Sequence, residues 1–183
     1  ENNQLFYGLE FVTNDIGSDA NTRDIITGIT APAGSRYPNG ENKYLSFSAY
    51  TGYKSNLSEK ITFNTGLRYN YVSLYSTIAD NSWYNFPFTE IDIRNGAVTG
   101  AAGLVFRMSE KRQVNVNAST GFRAPNLDDA GKVFDSAPGV VVVPNPGLQS
   151  EYACNLDLGI SQDIGSVLHF EVTGFLTYLN NAM

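Results

Sequence analysis

The sequence predicts an all-β chain: an antiparallel, up-and-down run of strands forming a segment of a transmembrane β-barrel. Three observations lead there. Seven segments alternate apolar and polar residues over roughly 11–15 positions each, where soluble strands run to about 5–6 and tilted membrane-spanning strands need about 9–11. The connections alternate strictly between long (15–42, 77–95, 125–150) and short (55–60, 108–111, 163–166), as in barrels with short turns at one rim and longer loops at the other. The face opposite the apolar one is Ser, Thr, Asn, Gln and Gly with a few charges. A dry core cannot hold such a face, because every unpaired buried polar group costs free energy. A hydrated lumen or a polar plug can.

Taken in order, residues 4–14 set Leu5, Tyr7, Leu9 and Phe11 against Phe6, Gly8, Glu10 and Val12. Residues 15–42 are rich in Asn, Asp, Gly, Ser and Pro, which favour turns, and Ile25-Ile26-Thr27 is expected to be a small hairpin arm within them. Residues 43–54 place Leu45, Phe47, Ala49, Thr51 and Tyr53 on one face, and residues 61–76 place Ile61, Phe63, Thr65, Leu67, Tyr69 and Tyr71 there. Residues 77–95 read as a loop, with Trp83, Phe86-Pro87-Phe88 and the acids Asp80, Glu90 and Asp92.

Strand 97–107 follows, then strand 112–124, where Val114, Val116, Ala118, Thr120 and Phe122 oppose Gln113, Asn115, Asn117, Ser119, Gly121 and Arg123. Loop 125–150 contains Val140-Val141-Val142-Val143; four β-branched residues at an exposed tip predict packing on a neighbouring loop or a short extra strand. Strands 152–162 and 167–179 close the pattern. Aromatics gather near the strand ends, Tyr75, Phe122, Tyr152 and Tyr178 at one rim and Tyr53, Phe63 and Phe106 at the other, as interfacial girdles do. Seven strands do not close a barrel, so the chain is expected to continue on both sides, residues 1–183 being part of a single β-barrel domain.

Composition narrows the function classes. The 183 residues include 11 Tyr, 11 Phe and 17 Gly, and the net charge is −6, which argues against nucleic acid as a partner. No run is apolar enough for a transmembrane helix, but alternation hides a spanning strand from mean hydropathy. The single Cys154 rules out an internal disulfide and a Cys-based metal cluster; it reads as a small residue on one strand face. His169, the only His, is expected on the polar face beside Glu171, as a structural polar residue rather than a metal ligand. Asp128-Asp129 could bind a cation or cap a short turn or helix, with capping the favoured reading. Arg123 reads as a rim charge pairing with Asp128, Asp129 or Glu151. There is no phosphate loop and no Ser/His/Asp set, so neither catalytic residues, a resident metal nor a cofactor is expected.

Two short boxes carry a resemblance. Phe122-Arg123-Ala124-Pro125 and, about twenty residues on, Asn145-Pro146-Gly147-Leu148 resemble the paired boxes of TonB-dependent outer-membrane receptors, in order and spacing. Gly66-Leu67-Arg68-Tyr69 and Phe175-Leu176-Thr177-Tyr178 are similar to the same family, especially to its Bacteroidetes-type members. Gly147 departs from the Asn usual in the second box. The resemblance implies a barrel of about 22 strands with a plugged lumen. On that resemblance the plug domain and remaining strands would lie outside residues 1–183.

It also implies uptake of a scarce nutrient across the cell outer membrane, driven by the TonB complex through an N-terminal part. The nutrient would be an iron complex first, a siderophore or haem, with cobalamin and oligosaccharides as further family substrates. Outer-membrane lipid would surround the barrel. Substrate contacts are expected from the long loops: Trp83, Tyr84, Phe86, Arg123, Asp128, Asp129, Lys132 and Phe134. Haem receptors of this family carry a haem-binding His between the boxes. Residues 126–144 contain no His, nor any Tyr, a side chain that can also ligate haem iron. Two alternatives stand beside this: a secreted or periplasmic β-sandwich binding glycans through Trp83 and Tyr residues, and a passive porin.

Overall fold

The computed structural model describes residues 3–137 and 140–182. Its elements are β1 (Asn3–Asp15), β2 (Asn21–Arg23), β3 (Thr30–Pro32), β4 (Asn42–Asn56), β5 (Ile61–Thr77), β6 (Glu90–Ser109), β7 (Arg112–Arg123), α1 (Leu127–Ala130), β8 (Phe134–Ala137), β9 (Val140–Val142), β10 (Glu151–Ile164) and β11 (Leu168–Asn180). The seven long strands form one antiparallel sheet in the order β1-β4-β5-β6-β7-β10-β11, each beside its neighbour in sequence. A β-sandwich needs a second long-stranded sheet packed on the first. Among the described residues the only other sheets are the two-stranded β2–β3 and β8–β9. The long sheet is open, with β1 and β11 at its edges.

Register carries the sequence alternation across the whole sheet. One row runs Leu5–Tyr53–Thr65–Ala102–Ala118–Leu156–Leu176, another Ile61–Phe106–Val114–Ile160–Val172. The opposite face carries Phe6–Gly52–Gly66–Ala101–Ser119–Asn155–Thr177. On that polar face Arg68 donates to Ser48 Oγ at 2.6 Å, Asn70 Oδ1 at 2.7 Å and Glu10 Oε2 at 3.1 Å. Tyr50 lies beneath its guanidinium, 5.7 Å from the ring centre, and against Gly8, where a Cβ would stand 2.4 Å from the Tyr50 hydroxyl. His169 is on the same face at the turn end, 2.6 Å from Asp163 and 4.0 Å from Glu171. Cys154 is an exposed free thiol.

The structure corrects the sequence reading in two places and decides between its alternatives in a third. Residues 90–95 are not loop. They begin β6, paired with the end of β5 (Thr77↔Glu90, Leu74↔Ile93), so the connection shrinks to residues 78–89. Their alternation is genuine but its phase is reversed: Ile91 and Ile93 point to the polar-face side, Asp92 and Arg94 to the apolar-face side, with Arg94 gripping Asp92 at 2.8 and 3.0 Å. Ile25-Ile26-Thr27 is the turn of the β2–β3 hairpin, not an arm strand. Asp24 Oδ1 accepts from the Ile26 and Thr27 amides, both at 2.8 Å, and Gly28 adopts a φ of 73°. Val140–Val142 takes the extra-strand course, pairing with β8, and its side chains stay exposed.

Candidate functional site

At the long-loop end the polar face stops being polar. Val72, Leu74, Ile91 and Ile93 are all buried there, although they continue strand faces that lower down carry Asn70, Arg68 and Thr99. What buries them is loop. Leu127 and Ala130 of α1 pack on Leu74, Ile91 and Ile93, with Tyr37, Tyr44, Phe88 and Leu148 around them. Apolar residues turned away from the apolar face need a protein partner to leave water, and three loops supply it together.

Polar bonds fix those loops to one another. Asn42, buried at the start of β4, donates to Ile16 O and Pro38 O, both at 2.9 Å, and accepts from Ser76. Asn39 Oδ1 accepts from the Ala79 and Asp80 amides at 3.0 and 3.1 Å, joining the first loop to the second. Gly40 N donates to Thr77 O at 3.0 Å, an approach that only glycine allows, because a Cβ would stand 2.5 Å from that carbonyl. Val133 N donates to Arg36 O at 2.8 Å, which adds the third loop, and Asn145 N donates to Ala130 O at 2.9 Å, which folds that loop on itself.

The third loop owes its shape to its caps. Asn126 is the N-cap of α1, accepting from Asp129 N at 3.0 Å, while Asp129 Oδ2 accepts from Asn126 N at 3.1 Å. This capping box satisfies two amides that a helix start leaves open, and it gives Asp129, one of the Asp pair, the expected capping role. Arg123 closes the structure from below, reaching Asp129 and Glu151, two of the acids the sequence offered it. Asp128, free of capping, faces outward. It accepts from the Tyr37 hydroxyl, and Lys132 Nζ lies 3.4 Å away. The Tyr37 bond first, and the Lys132 ammonium after it, hold the Asp128 carboxyl below the usual carboxylate range. The same bond raises the Tyr37 phenol.

The second loop presents an aromatic ladder. Tyr84 stacks on Phe86 at 5.3 Å and Phe86 on Phe88 at 5.6 Å between ring centres. Asn81 holds the ladder open: its side chain accepts from Phe86 N at 2.8 Å and donates to Phe86 O at 2.7 Å. Trp83 is exposed beside it.

The expected contact residues therefore fall into two groups. Arg123, Asp128, Asp129 and Lys132 gather around α1; Trp83, Tyr84 and Phe86 gather on the second loop. The side chain of Phe134 lies outside the described residues. Between α1 and the ends of β1 and β4 opens a cleft of about 460 Å³, lined by Asn14, Ile16, Tyr37, Tyr44, Asn126, Leu127 and Asp128. Sequence reading named only Asp128 of these as a contact residue. Tyr37 and Tyr44 belong to segments read as loop and strand, and nothing local marks them.

Comparison with known proteins bears on the whole chain. A family profile described as "TonB dependent receptor-like, beta-barrel" matches residues 1–182. Two Neisseria meningitidis proteins, from serogroups C and A and both named hemoglobin-haptoglobin utilization protein B, are 27% identical to it over 126 residues, 66% of this chain and 15% of theirs. Among solved structures, the Serratia marcescens hemophore receptor HasR in complex with its hemophore HasA and heme superposes with a TM-score of 0.76 at 16% identity, over 98% of this chain and 30% of that one. The copper transporter OprC gives 0.74 at 14%, over 98% and 27%. At such identities these structures speak for the fold. The chain spans less than a third of each of these proteins.

Proposed function

Since the chain belongs to the TonB-dependent receptor-like β-barrel family, we propose that it forms part of the barrel wall of an outer-membrane receptor that imports an iron complex, with haem the favoured class. Residues 1–183 are part of a single barrel domain, closed by further strands and filled by a plug domain elsewhere in the protein. The TonB complex drives transport through the N-terminal part. The apolar face meets lipid and the polar face lines the lumen. The passive-porin alternative gives way to the family match.

The observation that carries this reading is the loop end. Three loops are bonded to one another over the polar face, so the mouth of the barrel is a pre-organised surface rather than a set of separate tethers. Trp83, Tyr84 and Phe86 offer flat apolar contact there; Arg123, Asp128, Asp129 and Lys132 offer charge. Haem is favoured over other iron complexes by the relatives named for hemoglobin-haptoglobin utilization. Chemistry at the wall is passive: binding and passage, with no bond made or broken in the nutrient.

The test is growth under iron limitation of a strain lacking the full-length gene, with hemin or a ferric salt as the iron source. Loss of growth on hemin, restored by the gene and dependent on TonB, is the expected result. Undiminished growth on hemin would end the haem reading, and undiminished growth on every iron source would end the iron reading.

A further inference from the structure

We propose that the barrel wall carries a lateral port between β6 and β7, through which an acyl chain of the surrounding lipid reaches the polar face. This rests on the barrel-wall reading above and not on the nature of the nutrient. At the long-loop end every other join of the long sheet runs to the end of at least one of its two strands. The join of β6 to β7 stops short, at Ala101↔Ser119. Beyond it residues 90–100 of β6 stay paired with β5, and residues 120–123 of β7 with β10. Two strand ends, each held on its outer flank, thus face one another without a ladder.

Two hydroxyls stand in for the missing ladder. Continued at the same register, Gly100 would pair with Thr120 and Val98 with Phe122. Instead the Thr120 hydroxyl accepts from the Gly100 amide at 2.9 Å and lies 3.4 Å from the Gly100 carbonyl, to which it can donate in turn. The Tyr152 hydroxyl crosses from β10 and donates to Val98 O at 2.7 Å. Each latch is a single rotatable group, where a ladder is a row of backbone bonds that must break together. Inside a bilayer a freed backbone group has no water to turn to, so these two hydroxyls decide whether the seam stays shut. The parting has a structural cause. Pro125, fully buried, cannot extend a ladder, and α1 then crosses the polar face to pack on Ile91 and Ile93, off the line that β6 follows to Glu90.

Grooves on the two faces meet at this seam. On the apolar side one of about 530 Å³, walled by Leu67, Val98 and Ala118, runs up to Gly100 and Thr120. On the polar side one of about 330 Å³, with Arg68, Thr99 and Ser119 in its lining, reaches the same two residues. Between the grooves the wall is one glycine backbone and one hydroxyl. The outer groove is continuous with the apolar belt that lipid solvates, so what enters from that side is an acyl chain rather than a polar solute.

The test uses the full-length protein with Cys154, an exposed free thiol, and every other native cysteine replaced by Ser. It carries one bimane fluorophore and is folded into vesicles of phosphatidylcholine brominated on its acyl chains, which quench on close approach. A label at Leu67→Cys, on the apolar face, reports insertion and is expected to lose fluorescence. A label at Gly121→Cys, on the polar face at the seam, is expected to lose part of its fluorescence, and more of it when Thr120→Val and Tyr152→Phe remove the latches. A label at Asn117→Cys lies on the same face where the ladder to β6 is intact and the neighbouring Val116 is exposed on the apolar side; it is expected to stay bright with or without the latches. Equal fluorescence at 117 and 121 in both backgrounds would overturn the port and leave the barrel wall standing. A label at 67 that is not quenched would overturn the barrel-wall reading itself.

Discussion

Arg123, the last residue of β7, donates to both carboxylate oxygens of Asp129, at 2.7 and 2.9 Å, and its other terminal nitrogen lies 3.4 Å from Glu151, the first residue of β10. One guanidinium thus ties the strand before the long third loop to the strand after it and to the helix inside it. Its planar fork makes this possible, since a single ammonium cannot address two carboxylates in different directions equally well. Arg123→Gln should loosen the loop without unravelling the strands. Hydrogen exchange should quicken at residues 127–130 and 145–150 while the β7 and β10 ladder amides keep their protection. Arg123→Lys should fall between the two. Equal protection in all three proteins would show that the capping box alone closes the loop.

The cap over Ile91 predicts a sharp contrast among isoleucines. Ile91 is fully buried, and truncating such a side chain costs about 2–5 kcal/mol because the cavity does not refill. Ile91→Ala should therefore release α1 and the first loop, seen as faster exchange of the Val133 amide, which is bonded to Arg36 O. Ile25 stands 98% exposed at the tip of the β2–β3 hairpin. Ile25→Ser should stay within about 0.5 kcal/mol of the wild type. Similar effects for both would mean that the loops do not pack as a unit.

These two residues also mark what sequence alone can and cannot convey. Period-two alternation is local and repeats seven times, so strands, connections and faces can be read directly, and so can the pairing of Arg123 with Asp129 and a cap at the Asp128-Asp129 pair, which span only a few residues. Ile91 and Ile93 fall in a stretch that reads as loop, since they stand out of phase with the strand that follows. Below them an apolar residue belongs to the apolar face; at this height it belongs to the opposite side, under α1. The pattern Glu90-Ile91-Asp92-Ile93-Arg94 is a strand pattern obeying the rule of a water-facing sheet, with charge outside and apolar side chains against protein. Tyr37 was invisible for another reason. Its partner Asp128 lies 91 positions away, and no periodicity reports a contact between separate loops.

The Tyr37–Asp128 bond is bounded in pH on both sides. Asp128 has a lowered pKa in the fold, from the Tyr37 bond first and the Lys132 ammonium after it. Its contribution is complete above the ordinary carboxylate value, about 3.9, and is lost as pH falls through the lower folded value. Tyr37 has a raised pKa, from the same bond. Its contribution is complete below the ordinary phenol value, about 10, and is lost as pH rises through the higher folded value. Ultraviolet titration of the tyrosines should show one late-ionising phenol that Tyr37→Phe removes and that Asp128→Asn brings back towards the ordinary range. A titration unchanged by either substitution would mean that the two side chains do not meet in solution.

The two faces of the sheet should respond oppositely to charge. Leu67 and Ser119 lie at almost the same height, since Leu67 pairs with Gly100 and Ser119 with Ala101, but on opposite faces. Leu67, Val98 and Leu158 are each more than half exposed, part of an apolar belt far larger than water-soluble surfaces carry. In a bilayer that belt is solvated by lipid, and an Arg near its middle costs about 2–4 kcal/mol. Leu67→Arg should destabilise the full-length protein by that amount when it is folded reversibly into phospholipid vesicles. Ser119→Lys should cost less than about 1 kcal/mol, because its head group lies among Asn117, Asn155 and Asp157 on the hydrated face. The outcome that would sink the assignment of faces is the reverse order, with Lys at 119 the more damaging of the two.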